Sequence, residues 1–449
     1  MEKKYKPNVT GKGWAYVFCY FWFTPFLWSY WKRREFYGME NVPKDKPVFL
    51  TPNHINALIE PLGLSPIVKL RMLTFLLRAG AFKKKSVNKI FYQLNMLPIY
   101  RQLDGKDELD KNNEIFQNCV WLLEKNRTIL VFPEGSHSLV KKLRPFKKGL
   151  LRFAFGAEEK NNFSLDVHIV PIGISYNDLY NFGGDKLINI GKPIRLIDYK
   201  EAYAQNPARA MNELKRDLEK AVGNLMVNIQ NPDYYQEIDH LRTMAINRYR
   251  IAHDLNTNLL QEFNYGKKII DVAENTLFSD EKTATVLKEK ITRYYSILGK
   301  HKLRDIVLDP GYKFMNPVLW WPFMVVFFPL FLVGFIVNWI PFYMPQYIAK
   351  KTVKDIAFQS SILWLSSMLL FTILYILIFV LTGLISGSWL WACGAFGIGV
   401  VTASITLFYR RKWNKFFAEG RYKTFAATAE GKEASALRKE ILSYVNHVE

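Results

Sequence analysis

Thr128-Ile-Leu-Val-Phe132-Pro133-Glu134-Gly135-Ser136-His137-Ser138 is a short apolar run closed by a proline, a carboxylate and a glycine. It reads as a buried strand over Thr128–Phe132. Gly135 permits a tight turn there, and Glu134 is able to accept hydrogen bonds from hydroxyls at the strand's end. The same pattern recurs on either side, at Val48–Thr51, Arg71–Leu77 and Val167–Tyr176, each bounded by Pro, Gly, Asn or Asp. Between these runs, 86–96, 111–125 and 149–158 have helical spacing, as in Ile115, Cys119 and Leu122. The alternation predicts an α/β layered domain over 36–200. From 201 to 310 the pattern turns helical throughout, with Met211, Leu214, Leu218, Val222 and Leu225 at 3- and 4-residue steps, and predicts a helical extension. Ala434, Leu437, Ile441 and Tyr444 repeat that spacing in a tail over 417–449.

Farther out the text becomes apolar. No Lys, Arg, Asp or Glu interrupts the 36 residues Phe314–Ala349 or the 54 residues Ile356–Tyr409. One spanning helix needs ~20 apolar residues, so the second run predicts two transmembrane helices, 361–383 and 387–408, joined at Gly383-Leu-Ile-Ser-Gly387. Lys350, Lys351 and Lys354 precede this pair and Arg410, Arg411, Lys412 and Lys415 follow it, which places both its ends in the cytoplasm. Basic residues also lie on both sides of 314–349. That run therefore reads as an element that enters the bilayer and returns, with Pro329 near the bend, and a complete crossing is the alternative. Together these elements make a membrane region over 311–416. Gly13–Trp31 is uncharged, with 11 of its 19 residues aromatic, and Lys12 and Lys32-Arg33-Arg34 flank it. Segment 1–35 thus reads as a retained aromatic wedge at the membrane interface.

The chain has 449 residues, with 61 Lys and Arg against 40 Asp and Glu, a formal charge of +21. A hydrophobic share of 49% excludes disorder as its theme. An excess of this size points to a polyanion, either nucleic acid or an anionic membrane surface. The positive residues bracket the apolar runs and gather at Lys83-Lys84-Lys85 and Lys141–Lys148, which favours headgroups and phosphorylated substrates over nucleic acid. The three cysteines, Cys19, Cys119 and Cys393, have neither metal-ligand nor redox spacing.

Each strand end carries polar groups. In Thr51-Pro-Asn53-His54-Ile-Asn-Ala-Leu-Ile-Glu60-Pro61 a histidine precedes a carboxylate by six residues, an arrangement in which the carboxylate holds one ring nitrogen and the other takes a proton. Taken alone, a histidine at a strand end is more often just a satisfied polar residue. Arg101, after Leu97-Pro98-Ile99-Tyr100, offers a guanidinium for phosphate, or is simply a surface residue. Val170-Pro171-Ile172-Gly173-Ile174 says only "buried strand". His137 beside Ser138 suggests a triad but shows no third member. No metal-ligand cluster is visible.

Taken in order, Asn53-His54, Arg101, Phe132-Pro133-Glu134-Gly135-Ser136 and Val170-Pro171-Ile172 resemble the four blocks of the glycerolipid acyltransferase family of the lysophosphatidate acyltransferase type. Pro145-Phe146-Lys147-Lys148-Gly149 and Gly191-Lys192-Pro193-Ile194 are similar too. The likeness covers about 36–200. The usual H-x4-D carboxylate position holds Ile59, and the acid comes one residue later as Glu60. Fungal-type glycerol-3-phosphate and dihydroxyacetone-phosphate acyltransferases have an H-x5-D spacing before Pro and a C-terminal membrane extension, which this chain resembles with Glu for Asp.

The resemblance implies an acyltransferase α/β domain with a helical extension and C-terminal transmembrane helices, multi-pass in the cell membrane, with its catalytic domain on the cytoplasmic face. It implies His54 and Glu60 as catalytic residues. Asn53, Arg101, Glu134, Gly135, Ser136, Lys147 and Lys148 are implied as substrate-binding, Arg101 and the lysines on phosphate and Glu134 with the Gly135-Ser136 turn on hydroxyls. No cofactor or metal is implied beyond acyl-CoA or acyl carrier protein as co-substrate, with membrane lipids as partners. The acceptor is glycerol 3-phosphate, dihydroxyacetone phosphate or lysophosphatidate. Two alternatives stand beside this reading: a catalytically weakened lipid-binding or scaffold protein, motivated by Glu60, and an acyltransferase for a non-phosphate lysolipid. A transporter would need charged groups inside the spans, and 356–409 has none.

Overall fold

The computed structural model describes residues 8–9, 13–56, 59–65, 72–82, 85–100, 111–178 and 183–448. The chain forms two compact units, Met1–Asn228 with Val353–Ser361, and Ile229–Thr352 with Ile362–Glu449.

In the first unit an eight-stranded sheet contains β1 (Arg33–Tyr37), β2 (Val48–Pro52), β3 (Leu73–Arg78), β4 (Met96–Ile99), β5 (Thr128–Leu130), β6 (His168–Tyr176), β7 (Asp185–Ile190) and β8 (Ile194–Arg195). The order is β1-β7-β6-β2-β5-β3-β4, with β8 against β6. Pairing is parallel throughout except for β6 with β7 and β6 with β8. β2 is buried along its whole length, as a central parallel strand covered on both faces must be, which is why it reads as an unbroken apolar run. Its register, Val48 opposite Thr128 and Leu50 opposite Leu130, brings the carboxyl ends of β2 and β5 out side by side. Such strand ends are where parallel sheets place their ligands.

Seven helices serve this unit among the described residues: α1 (Trp14–Tyr30), α2 (Ile59–Leu64), α3 (Lys85–Gln93), α4 (Asn112–Glu124), α5 (Gly149–Lys160), α6 (Lys200–Gln205) and α7 (Pro207–Leu225). Ile115, Cys119 and Leu122 of α4, Leu150, Ala154 and Ala157 of α5, and Leu214, Leu218 and Val222 of α7 form one core with Phe49, Ile129 and Ile169 of the sheet. The apolar stripe of α7 is part of the sheet's own core, and the compact unit runs on to Asn228. Asn206 caps α7 by accepting from the Arg209 N–H, with Pro207 at its first position. Three strands absent from the sequence reading, β1, β7 and β8, join the sheet. β4 ends the expected helix 86–96 early, where Asn95 takes a left-handed conformation (φ 58°) and turns the chain into a strand. β1 and β7 carry charges that read as loop, but Arg33 and Asp185 neutralise each other at 2.6 Å. α1 buries Tyr16, Leu27 and Tyr30 and leaves Trp14, Phe18, Phe21 and Trp28 exposed.

The second unit is helical: α8 (Tyr235–Ala252), α9 (Leu259–Val272), α10 (Glu281–Lys300), α11 (Pro317–Val337), α12 (Trp339–Thr352), the part of α13 (Ile356–Ser386) from Ile362 onward, α14 (Trp389–Ala426) and α15 (Ala429–Ser443). Arg438 of α15 is buried between Asp305 (2.8 Å) and Asp309 (2.9 Å), and the Tyr294 hydroxyl donates to Asp305 (2.6 Å). Three helices, α11, α13 and α14, are long and apolar enough to cross a membrane. The bend expected at Pro329 is not there. Pro329 lies inside α11, and the interruption comes at Asn338. Asn338 is fully buried, accepts a hydrogen bond from the Tyr375 hydroxyl (3.0 Å), and donates to the Gly334 carbonyl (2.8 Å). The Gly399 carbonyl shares the Tyr375 hydroxyl proton with Asn338 (3.1 Å), and Tyr409 donates to the Met324 carbonyl. α11 thus runs antiparallel to α14, with Asn338 level with Gly399. α13 and α14 extend beyond the expected 361–383 and 387–408, and the turn between them holds Gly387 and Ser388.

Candidate active site

Four consecutive residues leave β2, and each is fixed by a different part of the first unit. Asn53 is buried with both ends of its amide on β6, Nδ2 donating to the Ile174 carbonyl (3.1 Å) and Oδ1 accepting from the Ile174 N–H (2.7 Å). The His54 N–H donates to Glu134 Oε1 (2.8 Å), and its Nδ1–H to Glu60 Oε2 (3.0 Å). The Ile55 N–H is shared between both Glu60 oxygens, each at 3.1 Å. Asn56, fully buried, accepts from the Ile59 N–H and donates to the Ser360 hydroxyl (2.6 Å).

The His54 ring stacks on Phe132, with centroids 4.0 Å apart and planes 25° apart. Its side chain is 13% exposed and that of Glu60 not at all. A carboxylate on Nδ1 makes that nitrogen a donor and leaves Nε2 as the proton acceptor, and among the described residues Nε2 has no hydrogen-bond partner. Glu60 opens α2, and Gly63, one turn on, leaves the space that Lys186 of β7 enters: a Cβ on Gly63 would lie 2.2 Å from Lys186 Nζ. Lys186 is 3% exposed. Burial lowers its pKa to about 8, against the opposing pull of the Glu60 charge. Burial, together with the charge of Glu60, pushes the Tyr176 hydroxyl well up.

The turn after β5 faces His54. Gly135 has φ +75°, a left-handed conformation that disfavours a side chain, and the Lys147 stem passes over it. The Lys147 N–H donates to the Pro133 carbonyl (2.8 Å), and the Ser138 N–H to the His54 carbonyl (3.0 Å). Glu134, buried, and Ser136, exposed, both read as contacts for acceptor hydroxyls, share Arg144 as a partner. Arg144 donates from Nε to Glu134 Oε2 (2.8 Å) and from a terminal nitrogen to the Ser136 hydroxyl (2.7 Å). Burial raises the Glu134 carboxyl's pKa, opposed by the His54 N–H and by Arg144. The Asn53 amide bonds the Ile174 backbone through both of its polar ends. Lys147 and Lys148 are exposed at the start of α5. Arg101 lies outside the described residues, as do Lys83 and Lys84. His137 and Ser138 form no triad: the Ser138 hydroxyl accepts from the Val140 N–H, and His137 Nε2 bonds Asp355 instead (2.9 Å). Among the described residues, no three His, Cys, Asp or Glu side chains group as a metal site.

Beyond the residues picked out from the sequence, the structure adds Lys186, Arg144, Asn56 and Asp355. Arg144 had shown only as one charge in a basic cluster. The others left no local signal.

Residues 33–175 match the Acyltransferase family model. This segment is an acyltransferase domain. The chain is 25% identical over 194 residues to a chloroplastic 1-acyl-sn-glycerol-3-phosphate acyltransferase of Brassica napus, covering 42% of this chain and 51% of that protein. It is 24% identical to a chloroplastic 1-acyl-sn-glycerol-3-phosphate acyltransferase of Arabidopsis thaliana (41% of this chain, 48% of that one). It is also 24% identical to glycerol-3-phosphate O-acyltransferase 1 of Saccharomyces cerevisiae (44% and 26%). The chain thus spans about half the length of the plant relatives and about a quarter of the yeast one. A solved structure of the 1-acyl-sn-glycerophosphate acyltransferase of Thermotoga maritima aligns with TM-score 0.31 and 21% identity over 44% of this chain and 76% of that one. The acyltransferase domain includes His54, Glu60 and Glu134 and the strands that present them, β2 and β5.

Proposed function

We propose that the chain is a membrane-bound O-acyltransferase that moves a fatty acyl group from acyl-CoA or acyl carrier protein to a hydroxyl of a glycerol-phosphate acceptor in phospholipid synthesis. The observation that carries this is the His54 Nδ1 to Glu60 contact, 3.0 Å long and closed to solvent on the Glu60 side. His54 Nε2 takes the proton of the acceptor hydroxyl as its oxygen attacks the thioester carbonyl. The tetrahedral intermediate collapses, the C–S bond breaks, and the imidazolium returns the proton to the departing thiolate. Glu60 stabilises the imidazolium that forms between the two steps. Residues 53–56 are anchored before substrate arrives, so little reorganisation accompanies the reaction. Arg101 and the exposed Lys147 and Lys148 are expected to grip the acceptor phosphate, as the phosphate in the names of the relatives suggests.

For the membrane region we infer an arrangement in which α11 and α12 enter and return. Asn338, at the tip of that excursion, is level with Gly399, ten residues and roughly 15 Å of helix short of the Trp389 end of α14. The basic residues before α11 and at the end of α12 then share one face, which we take as the cytoplasmic one. A reporter fused at residue 352 should read cytoplasmic, and a periplasmic reading would overturn this topology.

The decisive experiment presents purified full-length protein and one acyl-CoA with glycerol 3-phosphate, dihydroxyacetone phosphate, lysophosphatidate and a lyso-aminolipid, products being identified by mass spectrometry. Transfer to a phosphate-bearing acceptor, abolished in a folded His54→Ala variant, is expected. Full activity of that variant would remove His54 from the mechanism, and transfer to the lyso-aminolipid alone would replace the acceptor.

A further inference from the structure

The site contains a second imidazole–carboxylate pair, which the reaction as derived does not use. His137 lies beside His54, ring centroids 5.8 Å apart and planes 83° apart, and its Nε2 meets Asp355 Oδ2 at 2.9 Å. Asp355 is 218 residues away in sequence, immediately before α13, yet belongs to the same compact unit. Its side chain is 52% exposed, and an isolated pair at that exposure would be loosely held. Here both oxygens are occupied: Oδ1 accepts from the Ala357 N–H (2.9 Å) and caps the helix, so Oδ2 is presented to His137 in a fixed direction. The bond from His137 lowers the Asp355 carboxyl below its usual range, which keeps the acceptor ionised. Phe358 packs edge-on against the His137 ring at 5.2 Å.

The segment that carries Asp355 is itself fastened to the catalytic turn. Asn56 Nδ2 donates to the Ala357 carbonyl (3.0 Å) and the Ser360 hydroxyl (2.6 Å), and the Ser361 hydroxyl donates to Asn56 Oδ1 (2.6 Å). All three residues, Asn56, Ser360 and Ser361, are buried. This set of bonds begins two residues from His54, so the start of α13 is registered to the base.

We propose that His137 contacts the polar head of the acyl acceptor beside the attacking hydroxyl, and that Asp355 is the positioning residue that aims it. This deepens the acyl-transfer reading and rests on it. An acceptor hydroxyl at His54 Nε2 brings the neighbouring oxygens of a small polyol phosphate within reach of a ring 5.8 Å away. With Nε2 committed to Asp355, Nδ1 is the remaining polar atom of His137, and among the described residues it has no hydrogen-bond partner. The first turn of α13 thereby becomes part of the acceptor site, although it lies far outside residues 33–175.

The test uses full-length protein with Asp355→Asn, His137→Ala and the double variant, measuring KM for acceptor and for acyl-CoA separately. Each single change should raise acceptor KM about tenfold, the scale of one charge-assisted hydrogen bond. Acyl-CoA KM should not move, and the double variant should be no worse than the worse single, since both remove one unit. Asp355→Glu should recover part of the loss. A second readout needs no turnover: carbethoxylation of His137 by diethyl pyrocarbonate, followed by peptide mass spectrometry, should be several-fold faster in Asp355→Asn. An active wild type with Asp355→Asn within twofold in acceptor KM, multiplicative losses in the double variant, or an unchanged carbethoxylation rate overturns the proposal. A wild type that acylates no acceptor at all sinks the acyl-transfer reading and this inference with it, an outcome distinct from failure of the pair alone.

Discussion

Glu60 is the residue at which this chain departs from the sequences it resembles, and the structure turns that departure into a quantitative expectation. Its carboxylate holds the His54 Nδ1–H at 3.0 Å and the Ile55 N–H at 3.1 Å to each oxygen, with no exposure to water. In Glu60→Gln one oxygen becomes an NH2 group, so a donor faces either the Ile55 N–H or the ring. The arrangement loses a hydrogen bond to a charged group, worth about 1.5–3 kcal/mol, and the preference for a base-competent Nε2. A total near 3–4 kcal/mol at the transition state corresponds to a roughly 10²- to 10³-fold fall in kcat, with acceptor KM little changed. Glu60→Asp keeps the charge but withdraws it by about 1.5 Å, the length of one C–C bond. A 3.0 Å contact would become about 4.5 Å, outside hydrogen-bond range. The α2 backbone recovers some of that distance, so the expected loss is smaller, about 10- to 100-fold. Both variants are read by thiol release from acyl-CoA at saturating acceptor, with circular dichroism to confirm folding. Glu60→Asp matching or exceeding wild type, or Glu60→Gln within threefold of it, refutes the reasoning. A large gain by Glu60→Asp from a near-zero baseline would favour the weakened, lipid-binding alternative.

Three further outcomes follow from buried groups and backbone strain. Lys186, lowered from 10.5 to about 8, binds its proton less well folded than unfolded, so the native state gains stability as pH rises through about 8 towards 10.5 and loses it on the way down. Lys186→Met should therefore raise the unfolding free energy at pH 7 by up to about 3 kcal/mol, the gain vanishing near pH 10.5; a destabilised variant at pH 7 would show that attraction to Glu60 outweighs burial. Gly135→Ala places a side chain at φ +75° and should cost about 1–2 kcal/mol in thermal melts, and an unchanged melting temperature would mean that the turn is free to change conformation. Arg438→Met leaves Asp305 and Asp309 buried without their counter-charge and should destabilise the helical unit by about 3–5 kcal/mol in denaturant titration, whereas a loss under 1 kcal/mol would show that water reaches the pair.

The parts of this molecule legible in the sequence are those whose determinants are contiguous. β2, β5 and β6 are fully covered strands and read as apolar runs, and the turn Pro133–Ser136 follows one of them directly. The apolar lengths of α11, α13 and α14 needed only counting. What escaped was determined by pairing at a distance. β7 reads as polar because Asp185 and Lys186 look like surface residues until Arg33 and Glu60 are brought to them. Asn95 looks like an ordinary helix residue until its positive φ ends α3 and starts β4. Glu134 and Ser136 read from the sequence only as polar groups at a turn, and their contact with Arg144, ten residues on from Glu134, left no local signal. Asp355 had no signal at all. Its partner is 218 residues away, and a charged residue before an apolar run reads as a membrane flank.

The anchoring of residues 53–56 explains why so short a turn needs so much of the chain. Asn53 is tied to β6, His54 to the β5 turn and to α2, Ile55 to α2, and Asn56 to the first turn of α13. Two buried carboxylates, Glu134 and Glu60, grip consecutive backbone N–H groups, and the second also orients the ring. A loop left to itself would sample many conformations at about 1–2 kcal/mol of entropy per residue, and a base that is only sometimes aligned loses rate in proportion. Here that entropy is removed on folding by partners outside the loop. Damage to any anchor should accordingly appear as a fall in kcat with His54 chemically intact. One of these anchors, Asn56, holds Ala357, Ser360 and Ser361 in the first turn of α13, so Asn56→Ala should lower kcat while the His54–Glu60 contact stays in place.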